Sequence, residues 1–168
     1  NDITPVVLMG YYNPILQMGL KKFINKAKDA GVDGVLIVDL PPEVSNELSK
    51  ELEVSEIDMI RLASPTTTIE RMNNILKFSS GFIYYVSITG VTGSQINKIP
   101  DIKKKYIFLK KVINIPFVIG FGINSPKKAR EISRYADGVV VGSDLIKEIK
   151  KGIENRSNIF NNVISLVK

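Results

Sequence analysis

The sequence predicts an α/β protein built as a parallel (β/α)8 barrel, a TIM barrel, represented here by six βα units. Three observations carry this. Short β-rich apolar runs begin near residues 5, 34, 57, 82, 116 and 138, at intervals of roughly 20–35 residues that each hold one helical pattern, which is a βα repeat. These runs are continuous rather than alternating, as strands covered on both faces of a parallel sheet must be. The glycine-rich strand ends come late, at Gly120, Gly122 and Gly142, whereas an open doubly wound sheet normally carries its nucleotide glycines after the first strand. A closed barrel needs eight strands, two more than the six read here. All 168 residues are expected to form one domain.

Pro5 to Met9 is the first strand, and it leads into Gly10-Tyr11-Tyr12-Asn13-Pro14. The two tyrosines and Asn13 either line a site or form a turn closed by Asn-Pro. Leu20, Phe23, Ile24 and Ala27 lie on one helical face, ended by Ala30-Gly31. Gly34 to Val38 is the second strand, with Asp39-Leu40-Pro41-Pro42 at its end. Asp39 stands where barrel chemistry is done, but Asp before a proline turn is equally a helix-start signal. Asp33 precedes its strand, at the opposite end, and reads as structural.

Val44, Leu48 and Leu52 give the next helix its apolar side, and Ile57 to Leu62 is the third strand. Thr66, Thr67 and Thr68 are helix caps for a segment whose inner face is Ile69, Met72, Ile75 and Leu76. Phe82 to Val86 is the fourth strand, followed by a long loop of hydroxyl and glycine residues, 87–95, that suits a lid. Ile102, Tyr106, Leu109 and Ile113 face inward from the following helix.

The chain then enters its most informative stretch. Pro116 to Ile119 and Gly138 to Val141 are strands joined by a helix opening at Ser125-Pro126, a βαβ unit. Gly120 and Gly122 follow the first, and Gly142-Ser143 follows the second, at the start of a short helix over 143–151. Backbone N–H groups left open at such ends bind anions, and the loops after the last two strands of a barrel commonly form a phosphate site. A final helix places Ile159, Val163 and Val167 inward.

Composition narrows the chemistry. With no His and no Cys, there is neither the usual general base and zinc ligand nor a thiolate nucleophile, so no metal site is expected and proton transfer falls to carboxylates, Tyr or Lys. The net charge of +6 comes from lysines in predicted helices, a solvated outer face rather than a nucleic-acid surface. The apolar runs are too short to span a bilayer, and a cytoplasmic protein is expected. The chain opens at Asn1 and enters a strand within a few residues, so it reads as a piece of something longer.

Taken together, LMGYYNP, GVDGVLIVDLPPE, GFIYYVSITGVTG, IGFGI and ADGVVVGS closely resemble the tryptophan synthase α subunit, over essentially the whole chain. The resemblance implies a lyase that splits indole-3-glycerol phosphate to indole and glyceraldehyde 3-phosphate. It also implies an αββα complex in which pyridoxal phosphate belongs to the β subunit, the α chain having no cofactor of its own. By the family pattern Gly93, Gly122, Gly142 and Ser143 hold the substrate phosphate, joined by Gly120 from the reading of the glycines above. Tyr11 and Tyr84 line the substrate, and Thr92 belongs to the lid. Asn13, Asp39 and Pro41 face the β subunit, which makes Asp39 positional. The family's catalytic Glu and Asp sit on the first two strands, so both are expected upstream of Asn1. Val141 stands where the family often has a small hydroxyl residue. The alternatives are a phosphate-binding fragment without turnover, or another barrel enzyme such as indoleglycerol-phosphate synthase, against which the VSITGVTG lid argues.

Overall fold

The computed structural model describes residues 4–87, 99–120 and 126–155, together with 159 and 161. Its six strands are β1 (Val7–Gly10), β2 (Gly34–Ile37), β3 (Asp58–Ala63), β4 (Ile83–Val86), β5 (Phe117–Gly120) and β6 (Gly138–Val139). All five pairings are parallel, and the order across the sheet is the order along the chain. That order has no switch point, which a doubly wound sheet requires, and it is the order of a barrel wall. The helices are α1 (Tyr12–Met18), α2 (Leu20–Asp29), α3 (Asn46–Val54), α4 (Ile69–Leu76), α5 (Ile99–Lys110), α6 (Pro126–Ser133) and α7 (Ser143–Glu154).

Alternate residues of the strands divide between two faces. On one, Leu36, Ile60 and Tyr84 pack with Leu62, Phe82, Val86 and Val140 as the inner face of the wall. On the other, two clusters lie under the helices. Ile24, Ala27, Val35, Leu48, Leu52 and Met59 belong to the first, and Met72, Ile83, Tyr85, Tyr106, Phe117 and Ile132 to the second. The second is aromatic at its centre, where Tyr106 stacks on Phe117 at 4.6 Å between ring centroids and Tyr85 meets Phe117 edge-on at 5.6 Å. Each large side chain fully buried here contributes roughly 1.5–3 kcal/mol.

The inward positions expected from helical spacing are buried: Ile24 and Ala27 on α2, Met72 and Ile75 on α4, and Ile102, Tyr106, Leu109 on α5 with Ile113 just beyond it. Thr68 caps α4, its hydroxyl accepting from the Arg71 N–H at 3.1 Å. Three expectations fail. Residues 12–14 are not a turn but the start of α1, because proline is tolerated in a first helical turn, where its missing N–H has no helical partner. The chain turns instead at Gly19, whose φ of +88° suits only a residue without a side chain. Val44 does not face the core; it lies in a short 3₁₀ turn, Pro42–Val44, and is 67% exposed. Lastly, β1 is apolar but uncovered, with Val6, Val7, Leu8 and Met9 all exposed, because no strand among the described residues lies beyond it.

Asp33 is structural, and so is Asp137, by the same device. The Val6 N–H donates to Asp33 Oδ2 at 2.6 Å while the Asp33 N–H returns to the Val6 carbonyl at 2.9 Å. The Phe117 N–H donates to Asp137 Oδ2 at 2.7 Å, and the Asp137 N–H returns to the Phe117 carbonyl at 3.3 Å. Both aspartates open an Asp-Gly-Val triplet, and each pins the start of the preceding strand, at the end of the sheet away from the site.

Candidate functional site

The opposite end of the sheet, where the strands finish, carries the described residues among those singled out in the sequence. Because strand order follows chain order, β5 and β6 end side by side, with Ile119 aligned on Val139. Gly120 closes β5, and Gly142-Ser143 follows β6. The two glycine-bearing ends are therefore neighbours, as a two-sided anion cradle requires.

At Gly142 nothing lies within 4 Å of where a Cβ would be, and its φ of −121° is open to any residue. The first turn of α7 has no side-chain cap, so its N–H groups are offered to whatever enters that space, with the helix dipole favouring an anion. Ser143 is exposed beside them. Asp144 is also in this turn, with its carboxylate paired to Lys147 Nζ at 3.0 Å.

Gly120 has a different local reason for being glycine. Tyr84, on the inner face of β4, leans so far across β5 that its hydroxyl and ring carbons occupy the space of a Gly120 Cβ. The ring is held there, only 8% exposed, and burial raises its phenol pKa. The Gly120 carbonyl is gripped from the same strand end, by the Ser87 hydroxyl at 2.9 Å and the Ser87 N–H at 3.1 Å. Tyr84 and Gly120 are thus brought into one unit. Ser87, expected as the first residue of the lid loop, is instead buried at 1% and fixed to β5; nothing in its local sequence names that partner.

The other group forms at the β1 and β2 ends. The Asp39 carboxylate accepts the Tyr12 N–H at 2.7 Å, joining the corner that carries Tyr11 and Asn13 to the turn that carries Pro41. Tyr11, Asn13, Asp39 and Pro41 are all exposed. A groove of about 470 Å³ runs beside them, lined by Asp39, Pro41, Arg61, Ser64, Thr67 and Arg71 among others. Tyr11 follows β1 and Tyr84 lies on β4, at different parts of the wall. Thr92, Gly93 and Gly122, and with them the expected lid beyond Ser87, lie outside the described residues.

Arg61 is a residue that sequence reasoning missed. It projects from β3 toward the helices and is only 3% exposed, yet no carboxylate among the described residues forms an ion pair with it. Its guanidinium donates instead to neutral oxygens: Nη1 to the Leu40 carbonyl at 2.9 Å, Nε to the Phe78 carbonyl at 3.3 Å, and Nη2 to the hydroxyls of Ser45 and, at 3.2 Å, Ser49. Burial pushes its pKa down to about 10, against a smaller upward pull from Glu43, so it remains a cation at neutral pH. Glu43 itself pairs with Arg71 at the surface.

The family model described as tryptophan synthase alpha chain matches residues 1–168. Among solved structures, the tryptophan synthase subunit alpha of Legionella pneumophila str. Paris is 39% identical, with a TM-score of 0.88 over 99% of this chain and 61% of that one. The subunit alpha of Campylobacter jejuni is 32% identical, with a TM-score of 0.84 over 99% of this chain and 66% of that one. A structure of the tryptophan synthase a2b2 complex of Pyrococcus furiosus is 34% identical, with a TM-score of 0.82 over 98% of this chain and 65% of that one. The chain thus spans 61–66% of the length of these relatives.

Proposed function

Because the chain belongs to the tryptophan synthase alpha chain family, we propose that it supplies the phosphate-binding side of a lyase acting on indole-3-glycerol phosphate. The observation that carries the proposal is the adjacency of the β5 and β6 ends, with open backbone donors at Gly142-Ser143 and Tyr84 seated over Gly120 on the inner face. Gly142, Ser143 and Gly120 border the phosphate, with Gly93 and Gly122 of the family pattern, while Tyr84 and Tyr11 face the indole and glycerol parts. Thr92 belongs to a lid over the site. The protein works in the cytoplasm and as a single domain.

Cleavage breaks the bond between the indole ring carbon and the glycerol side chain. One acid must protonate the ring carbon while a base removes the proton of the side-chain hydroxyl that becomes the aldehyde. Three carboxylates at this face serve other ends, since Asp39 holds a backbone N–H, Glu43 pairs with Arg71, and Asp144 pairs with Lys147. This supports assigning the acid and base to a Glu and an Asp upstream of Asn1. The partner is the β subunit, which contributes the pyridoxal phosphate and docks at Asn13, Asp39 and Pro41. Nothing in the matches favours an indoleglycerol-phosphate synthase or a fragment that only binds.

The test is calorimetric binding of glycerol 3-phosphate to the chain and to Gly142→Val. The new side chain enters open space, so the thermal midpoint should hardly move while affinity falls at least tenfold. Unchanged affinity in a folded variant would remove the phosphate from this end of the sheet.

A further inference from the structure

We infer that Arg61 is a positioning residue for the partner-facing corner, with its guanidinium setting where the Asp39–Pro41 turn and, through it, the Tyr11–Asn13 corner stand. The inference rests on the reading that this corner docks the β subunit.

The turn cannot hold itself. Pro41 and Pro42 have no N–H to donate, and the turn's own bonds are the long 3₁₀ contacts from the Val44 N–H to the Pro41 carbonyl at 3.2 Å and from the Ser45 N–H to the Pro42 carbonyl at 3.3 Å. Arg61 grips it on both sides of the prolines. Before them, Nη1 takes the Leu40 carbonyl at 2.9 Å. After them, Nη2 takes the hydroxyl of buried Ser45, which in turn donates to the Pro42 carbonyl at 2.8 Å. Leu40 adjoins Asp39, whose carboxylate holds the Tyr12 N–H, so the restraint reaches the β1–α1 corner. The base of this strut is β3, buried in the wall, and Nε fixes its stem to the Phe78 carbonyl beyond α4. A planar fork of five donors can serve three segments at once; a lysine ammonium at the same site cannot. Burying a cation on neutral oxygens carries a desolvation cost. Its return is a fixed geometry for an exposed turn.

The experiment compares wild type with Arg61→Lys and Arg61→Met. Three quantities are measured: affinity for the β subunit, affinity for glycerol 3-phosphate, and amide exchange over residues 39–45. Both variants should exchange faster in the turn and bind the β subunit at least tenfold more weakly, with glycerol 3-phosphate affinity unchanged. Arg61→Met also strips a donor from the Leu40 and Phe78 carbonyls and the Ser45 hydroxyl, so its thermal midpoint should fall; unchanged glycerol 3-phosphate affinity in the folded variant is what separates positioning from overall stability. If either variant folds and binds the β subunit as wild type does, the inference falls. Should Arg61→Met fail to fold, Arg61→Lys, which keeps the charge, decides alone; should it fail too, Arg61 is a residue of overall stability and the inference falls. A wild-type chain that does not bind the β subunit would instead sink the docking reading itself.

Discussion

Gly120 shows how one residue can satisfy two demands. A glycine at a strand end invites an anion, yet here the space beside its Cα is filled by the Tyr84 ring. The ring is rigid and nearly buried, with 8% of its surface exposed, so it cannot swing aside at little cost. Gly120→Ala should therefore lower stability by about 1–3 kcal/mol, the usual cost of overpacking, and displace Tyr84. In a Tyr84→Leu background the same substitution should cost far less, because the ring is gone. A double-mutant cycle from denaturant midpoints measures this, and additive penalties would show that the two residues are not coupled. The sequence marked both positions but not their contact, since a cross-strand diagonal depends on strand tilt and not on spacing. Arg61 was illegible for a related reason. One arginine in an apolar run gives no sign of which carbonyls it will meet, and its partners lie as many as 21 residues away.

Among the elements, β1 and β2 read alike in sequence and differ in the structure. Both are short continuous apolar runs, yet β2 is buried throughout while Met9, aligned with Leu36 on the inner face, is 61% exposed. Apolar continuity states what a strand needs, and only its neighbours decide whether the need is met. Element order and inner faces were legible because the hydrophobic period is local; covering is not. The starts of the strands depend on a second local device, the Asp-Gly-Val clamp. For the β5–β6 pair, Asp137 Oδ2 accepts from the Phe117 N–H at 2.7 Å, Lys110 Nζ at 2.5 Å and the Tyr106 hydroxyl at 3.2 Å. Burial pushes this carboxyl up, but the bonds from Lys110 and Phe117 outweigh it, and its pKa is lowered overall. A carboxyl whose folded pKa is depressed adds stability above its unfolded pKa, and that stability is lost as the pH falls through the folded value. Asp137→Asn, which keeps the shape and removes the charge, should cost about 1–2 kcal/mol near neutral pH. The cost is small because the pair is partly solvated, with Asp137 40% exposed. The difference between variant and wild type should shrink as the pH falls below the usual Asp range. A gap in thermal midpoint that stays constant down to low pH would mean that the carboxylate charge is not what the clamp uses.

For the whole molecule, the two demands that the wall leaves open concern the same place. The inner face carries Leu36, Ile60 and Tyr84 in its middle, while the exposed side chains of β1 and the free backbone edge beyond them lack partners among the described residues. Unpaired parallel edges of this kind favour association, and a barrel interior is filled from all its strands. The proposed chemistry lacks its acid and base in the same region, since a Glu and an Asp are assigned to strands that would adjoin β1. Packing and catalysis should therefore be restored together. Two further βα units of the family, carrying that Glu and Asp and added in trans to the 168-residue chain, should reduce its self-association and raise indole release. General acid–base groups contribute about 10²–10⁴-fold each, so the chain alone should release indole slower than a complete subunit by at least that factor. A complementing piece with both acids changed to Ala should still suppress self-association without restoring turnover, which separates the edge from the chemistry. Near-native turnover by the chain alone, measured as indole released from indole-3-glycerol phosphate, would place the acid and base within these residues and overturn the assignment.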